Sequence, residues 1–221
     1  MRYAGCMAGG VASPFAPRTV GARRPALHRI VVTGGPGAGK TAILELARRD
    51  LCKHVEVLPE SARIVFAGGF PRRADDAGLR GAQRAIFHVQ DELERMGAGS
   101  ENVGTLLCDR GTLDGLAYWP GAWDDYFAEI GSSHAAELAR YDAVIHLRVP
   151  HAANGYHQDA VRRESEDQAQ AIDGRLLEVW ASHPRRIVVE SIVDFVRKAQ
   201  RALAVIRAEL SCCASKAADV G

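Results

Sequence analysis

Between residues 29 and 210, short runs of apolar, often β-branched residues alternate with longer stretches in which apolar positions recur every three to four residues. That alternation predicts an α/β domain: a parallel sheet with helices on both faces. Five runs read as strands, at residues 30–33, 55–58, 105–108, 143–147 and 186–189. Runs such as Ile30-Val31-Val32 and Leu106-Leu107-Cys108 are apolar without a break, as expected of strands covered on both sides. The helical patterns fall at 40–51, 60–67, 79–96, 124–130, 165–182 and 194–210. Within 79–96, Ile86, Val89, Leu93 and Met96 predict one apolar stripe turned to the core.

The flanks break this pattern. Residues 1–28 are rich in Ala, Gly, Pro and Arg without periodicity and read as a disordered leader, and an acid-free, Arg-bearing start also resembles a transit peptide. Residues 211–221 read as a flexible tail. The net charge is +1, but Arg2, Arg18, Arg23, Arg24 and Arg29 belong to an acid-free start, and without them 23 basic residues face 27 acidic ones. A mildly acidic body argues against nucleic acid as a partner. Five scattered cysteines with no C-x-x-C pair and no zinc-ligand spacing favour reduced thiols in the cytoplasm. No apolar run is long enough to span a membrane.

The sharpest local signal is Gly34-Gly35-Pro36-Gly37-Ala38-Gly39-Lys40-Thr41, which fits G-x-x-x-x-G-K-[ST] between a strand and a helix. Backbone N–H groups can cradle phosphate oxygens only where side chains leave room, which is the use of the glycines. The helix N-terminus adds positive partial charge. Lys40 reaches terminal phosphates and the Thr41 hydroxyl is a Mg²⁺ ligand of the usual kind, so ATP and Mg²⁺ are the expected cofactors. There is no N-K-x-D stretch to read guanine.

Asp109 ends the run 105–108 and falls where a second Mg²⁺ ligand would stand beside this loop. The next residue, Arg110, cannot act as a base, so water activation is not the evident purpose. Glu60 follows the strand at 55–58 and is either the base for an acceptor hydroxyl or an acid placed in the first turn of a helix. Arg162 and Arg163 could bring cations over a transferring phosphoryl group, or be solvated residues near a helix start. Residues 150–158 lack periodicity, contain Gly155 and read as a mobile lid loop. Tyr118, Trp119, Trp123, Tyr126 and Phe127 form an aromatic cluster that either lines an acceptor pocket, with Asp114, Asp124 or Asp125, or packs a core. Gln83, Arg84, His88 and Gln90 pose the same choice.

Taken together, the loop at 34–41, Pro59-Glu60-Ser61-Ala62-Arg63, Asp109-Arg110-Gly111 with Asp114, the segment 141–147, and Arg162-Arg163-Glu164 with Ile172-Asp173 resemble the small single-domain P-loop AAA-type ATPases grouped with NadR nicotinamide riboside kinase-like proteins. The resemblance implies a three-layer P-loop NTPase sandwich with a five-stranded parallel sheet in the order 2-3-1-4-5. It also implies Asp109 as the metal or acceptor carboxylate and Arg162 and Arg163 as the lid. Two functions follow as expectations. One is an Mg-ATP-dependent kinase acting on the hydroxyl of a nucleoside-like or other small metabolite. The other is a nucleotide-dependent switch or slow ATPase acting on a protein partner.

Overall fold

The structure is a computed structural model and describes residues 27–150 and 165–210. Five parallel strands, β1 (His28–Thr33), β2 (Val55–Leu58), β3 (Thr105–Asp109), β4 (Ala143–Leu147) and β5 (Arg186–Val189), form one sheet in the order β2-β3-β1-β4-β5. The three central strands are buried nearly end to end, which their unbroken apolar runs require. The register pairs Val32 with Asp109 and Thr33 with His146, so the carboxyl ends of β1, β3 and β4 lie level. From β1 the chain departs toward β2, and from β3 it departs toward β4 on the other side. Such a divergence opens a crevice at the strand ends.

Seven helices were found among the described residues: α1 (Lys40–Asp50), α2 (Ser61–Ala67), α3 (Asp76–Gly99), α4 (Trp123–Ile130), α5 (His134–Leu138), α6 (Glu166–Val179) and α7 (Phe195–Glu209). A 3₁₀ helix, Thr112–Tyr118, follows β3. On one face, α1 and α7 bury Ile43, Leu44, Ala47, Ala202 and Ile206 against Ile30, Val32, Leu107 and Ile145. On the other, Phe87, Leu113, Tyr126, Val179 and Trp180 close over Val31, Leu106, Cys108 and Val144. The α6 helix opens with a capping box between Ser165 and Gln168, which satisfies two donors that the first turn leaves unpaired.

The sequence expectation for α3 needs correcting. Its buried residues are Ala82, Gln83, Phe87, Gln90, Glu94 and Gly97; of the predicted stripe, Leu93 packs half-buried against the core, Ile86 lines the cavity, Val89 is half-buried and Met96 is 71% exposed. The inward face of α3 therefore mixes polar with apolar side chains, because it borders a cavity as well as a core. The 3₁₀ helix and the five-residue α5 are too short to carry a periodic signal, and the sequence reading passes over both. β1 begins two residues ahead of the predicted strand, at His28.

Candidate functional site

The crevice at the carboxyl ends of β1 and β3 opens into a cavity of about 790 Å³. It runs from the phosphate loop, past Glu60 and Arg110, to Gln83, Phe87 and Gln90 on α3. The loop itself is shaped by backbone geometry: Gly34, Gly37 and Gly39 have φ of 139°, 84° and 89°. A Cβ on Gly34 would stand 2.1 Å from the Leu147 carbonyl oxygen, so no other residue fits there. Lys40 is buried, and its Nζ donates to the carbonyls of Gly34 (2.6 Å) and Gly35 (3.0 Å). Burial and the neighbouring Arg110 charge bring its pKa down to about 8, against the pull of Asp109, Glu60 and Asp114. Thr41 lines the cavity with its side chain exposed.

Asp109 ends β3 and is buried. Burial, helped by the Glu60 and Asp114 charges, pushes its pKa up to about 6 although Lys40 and Arg110 oppose it. Its Oδ1 has no hydrogen-bond partner. A buried carboxylate oxygen left without a partner, close to Lys40 and the phosphate loop, is what a hard cation or a substrate proton would satisfy. No group of three or more metal-ligating side chains is present among the described residues. Mg²⁺ does not need one, since it takes one or two protein oxygens and completes its shell with phosphates and water. Asp109 and Thr41 fit that requirement.

Arg110 occupies the left-handed region at φ 76°, which costs a residue with a Cβ roughly 1–2 kcal/mol. The backbone is held there by its N–H, which donates to the Val32 carbonyl. The guanidinium is thereby delivered into the cavity wall, where Nε donates to Glu60 (2.7 Å) and an NH donates to Asp114 (3.2 Å). Asp114 is fixed in turn by the Thr33 hydroxyl (2.7 Å) and the Trp180 indole N–H (2.8 Å). Burial raises the Glu60 pKa, but the Arg110 charge, Lys40 and the Arg110 hydrogen bond outweigh it and leave the carboxyl below its ordinary value.

At the far end of the cavity, Gln90 is 1% exposed and donates through Nε2 to Glu94 (3.0 Å). Glu94 also accepts from Arg140 and Tyr141, so it cannot turn away. The Gln90 amide is thus locked, with its Oε1 buried and without a partner. Beside the phosphate loop, Phe195 packs against Gly39, and Ile192, Val193 and Val196 near it are exposed apolar side chains.

The structure therefore brings together Lys40, Thr41, Glu60, Asp109 and Asp114. Arg162 and Arg163, with the segment 151–164, lie outside the described residues. Of the aromatic cluster, Trp119, Tyr126 and Phe127 are core, while Tyr118 and Tyr126 also border the cavity. Asp124 and Asp125 are exposed, Arg84 pairs with Glu129, and His88 is exposed, so none of these reaches the site.

A family model described as an AAA domain matches residues 29–198. The chain belongs to the AAA domain family. No curated protein matches the chain. Among solved structures, the NadR protein in complex with NR is similar with a TM-score of 0.62 and 16% identity over 83% of this chain and 51% of that one. This AAA domain thus spans about half the length of that protein. Deoxyadenosine kinase from M. mycoides with bound dATP gives a TM-score of 0.54 at 15% identity, over 80% of this chain and 98% of that one. Thymidylate kinase from Candida albicans gives 0.56 at 13%, over 83% and 92%. At such identities the likeness establishes the fold, a P-loop kinase-like sandwich with strand order 2-3-1-4-5.

Proposed function

We propose that this AAA domain is an Mg-ATP-dependent kinase of a small, hydroxyl-bearing metabolite of nucleoside-like size. The observation that carries the reading is the single cavity that joins the phosphate loop to a carboxylate–guanidinium pair and then to a polar, buried helix face. A switch or bare ATPase has no use for such a second compartment. In this reading the loop amides and Lys40 hold the terminal phosphates, and the exposed apolar side chains around Phe195 seat the nucleobase of ATP. Asp109 and Thr41 would hold Mg²⁺, which when bound neutralises charge on the phosphates. Glu60 accepts the proton of the attacking hydroxyl, and Arg110 orients that carboxylate and adds positive charge beside it. Gln90 offers a fixed acceptor to an N–H on the distal part of the acceptor molecule, as in an amide or exocyclic amine.

The resemblance to kinases of nucleosides and nucleotides supports the substrate class without naming a member of it. The test is a metabolite-pool phosphorylation screen with labelled ATP and mass-spectrometric identification of products. A product gaining one phosphoryl group is the expected result. ATP turnover indifferent to every metabolite would replace the kinase with the nucleotide-dependent switch or slow ATPase.

A further inference from the structure

Behind the phosphate loop, on the side away from the cavity, sits a buried ionic cluster that the transfer chemistry does not use. Asp173, on α6, is fully buried. Its Oδ1 accepts the Gly35 N–H of the phosphate loop (3.0 Å) and lies 2.8 Å from Nε2 of His146, itself fully buried on β4. Its Oδ2 takes the Val149 N–H (3.4 Å) and pairs with Arg148. From α7, Lys198 donates to the carbonyl of loop residue Ala38 (2.8 Å) and to that of Arg148 (2.6 Å).

Two helices late in the chain therefore grip the loop, one through an N–H and one through a C=O. The fit is tight: a Cβ on Gly35 would stand 2.7 Å from Val149, 2.8 Å from the Ala169 carbonyl and 3.0 Å from Asp173. A negative charge so near a phosphate site opposes nucleotide binding unless it is neutralised locally, and Arg148 and Lys198 do that. What Asp173 supplies in return is geometry. It fixes the Gly34–Gly35 peptide, whose Gly34 carbonyl accepts Lys40 Nζ (2.6 Å), and with it the adjoining Gly35 carbonyl, which accepts Lys40 Nζ (3.0 Å) and the Ala38 N–H (3.2 Å).

We propose that Asp173 is a positioning residue that holds the phosphate loop in its nucleotide-accepting shape and couples nucleotide affinity to helix α6. This rests on the nucleotide site of the proposed function and is independent of the acceptor and of transfer. The full chain is titrated calorimetrically with Mg-ATP as wild type, Asp173→Asn and His146→Asn, with circular dichroism to establish folding. Asp173→Asn is expected to weaken Mg-ATP about tenfold or more, and His146→Asn, which removes only the brace on Asp173, about threefold.

A residue serving stability alone would lower the melting temperature and leave the affinity of the folded protein unchanged, and that result overturns the proposal. Should Asp173→Asn fail to fold, His146→Asn decides, and wild-type affinity there overturns it. Hydrogen exchange on the wild-type chain tests the coupling directly. Mg-ATP should slow exchange in the peptides of α6 as well as in the loop, and unchanged α6 exchange overturns the coupling. If wild type binds no Mg-ATP, the nucleotide reading itself falls.

Discussion

Lys40 and Asp109 are buried neighbours whose pKa values are displaced toward each other, to about 8 and about 6. In the proposed reading, nucleotide binding uses the Lys40 charge and metal binding an ionised Asp109. Mg-ATP affinity should therefore rise as the pH passes about 6 and fall beyond about 8, a bell that calorimetry from pH 5 to 9 would trace. The stability signature of Asp109 runs the other way. Its folded pKa lies above the ordinary 3.8, so its contribution is complete below that pH and is lost as the pH rises through about 6. Lys40→Ala should keep the fold and cut phosphoryl transfer by about two orders of magnitude or more. Asp109→Asn should weaken metal-dependent nucleotide binding, with partial recovery at high Mg²⁺. Glu60→Gln should spare that binding and lower turnover about 10²- to 10⁴-fold. Turnover with the identified acceptor and titration with a non-hydrolysable ATP analogue separate the two, and the opposite pattern would exchange their roles. Residues at fixed covalent spacing, Gly34 to Thr41, were legible from the sequence. Arg110 was read only as something other than a base, because its bond to Glu60 spans 50 positions and exists only in the fold.

At the scale of elements, α3 shows where hydrophobic patterning misleads. Its apolar residues suggest one buried face, but a helix beside a cavity can turn polar residues inward, as Gln83 and Gln90 do, while Glu94 is buried with Arg140 and Tyr141 as its partners. The Gln90 carbonyl without a partner costs stability, so a leucine there removes a penalty as well as the bond to Glu94. Gln90→Leu is expected to change folding stability by less than about 1 kcal/mol. The same variant should raise the KM for an acceptor bearing an amide or amine about tenfold, with little change for an analogue in which that group is a carbonyl. A panel of paired analogues, assayed against both proteins, checks this. Equal losses on both members of each pair would remove Gln90 from substrate recognition. The five strands and six of the helices were readable because their patterns are long or strongly apolar. Asp173 enters the sequence analysis only within the family resemblance and Lys198 not at all, since the part each plays exists only once the phosphate loop is packed against it.

For the whole molecule, the sheet order places every loop that meets the cavity at one edge, and ligand binding should brace several of them together. At an Mg-ATP concentration about 100 times its Kd, stabilisation of about 2.7 kcal/mol should raise Tm by roughly 5–10 °C for a domain of this size, measured by calorimetry. Magnesium or ATP alone should do much less.

The parallel sheet has one more consequence, for how the domain can be joined to other proteins. All strands enter at the edge opposite the phosphate loop, where Arg29 is held by Asp142 at the start of the sheet. The last helix starts against the loop at Phe195 and travels back, so that Glu209 meets Arg185 just ahead of β5. Residues 27 and 210, the outer bounds of the described residues, thus lie on the side remote from the cavity mouth. Chain joined to the domain at either of these points approaches it from behind, and a reporter protein fused there should leave the cavity mouth open.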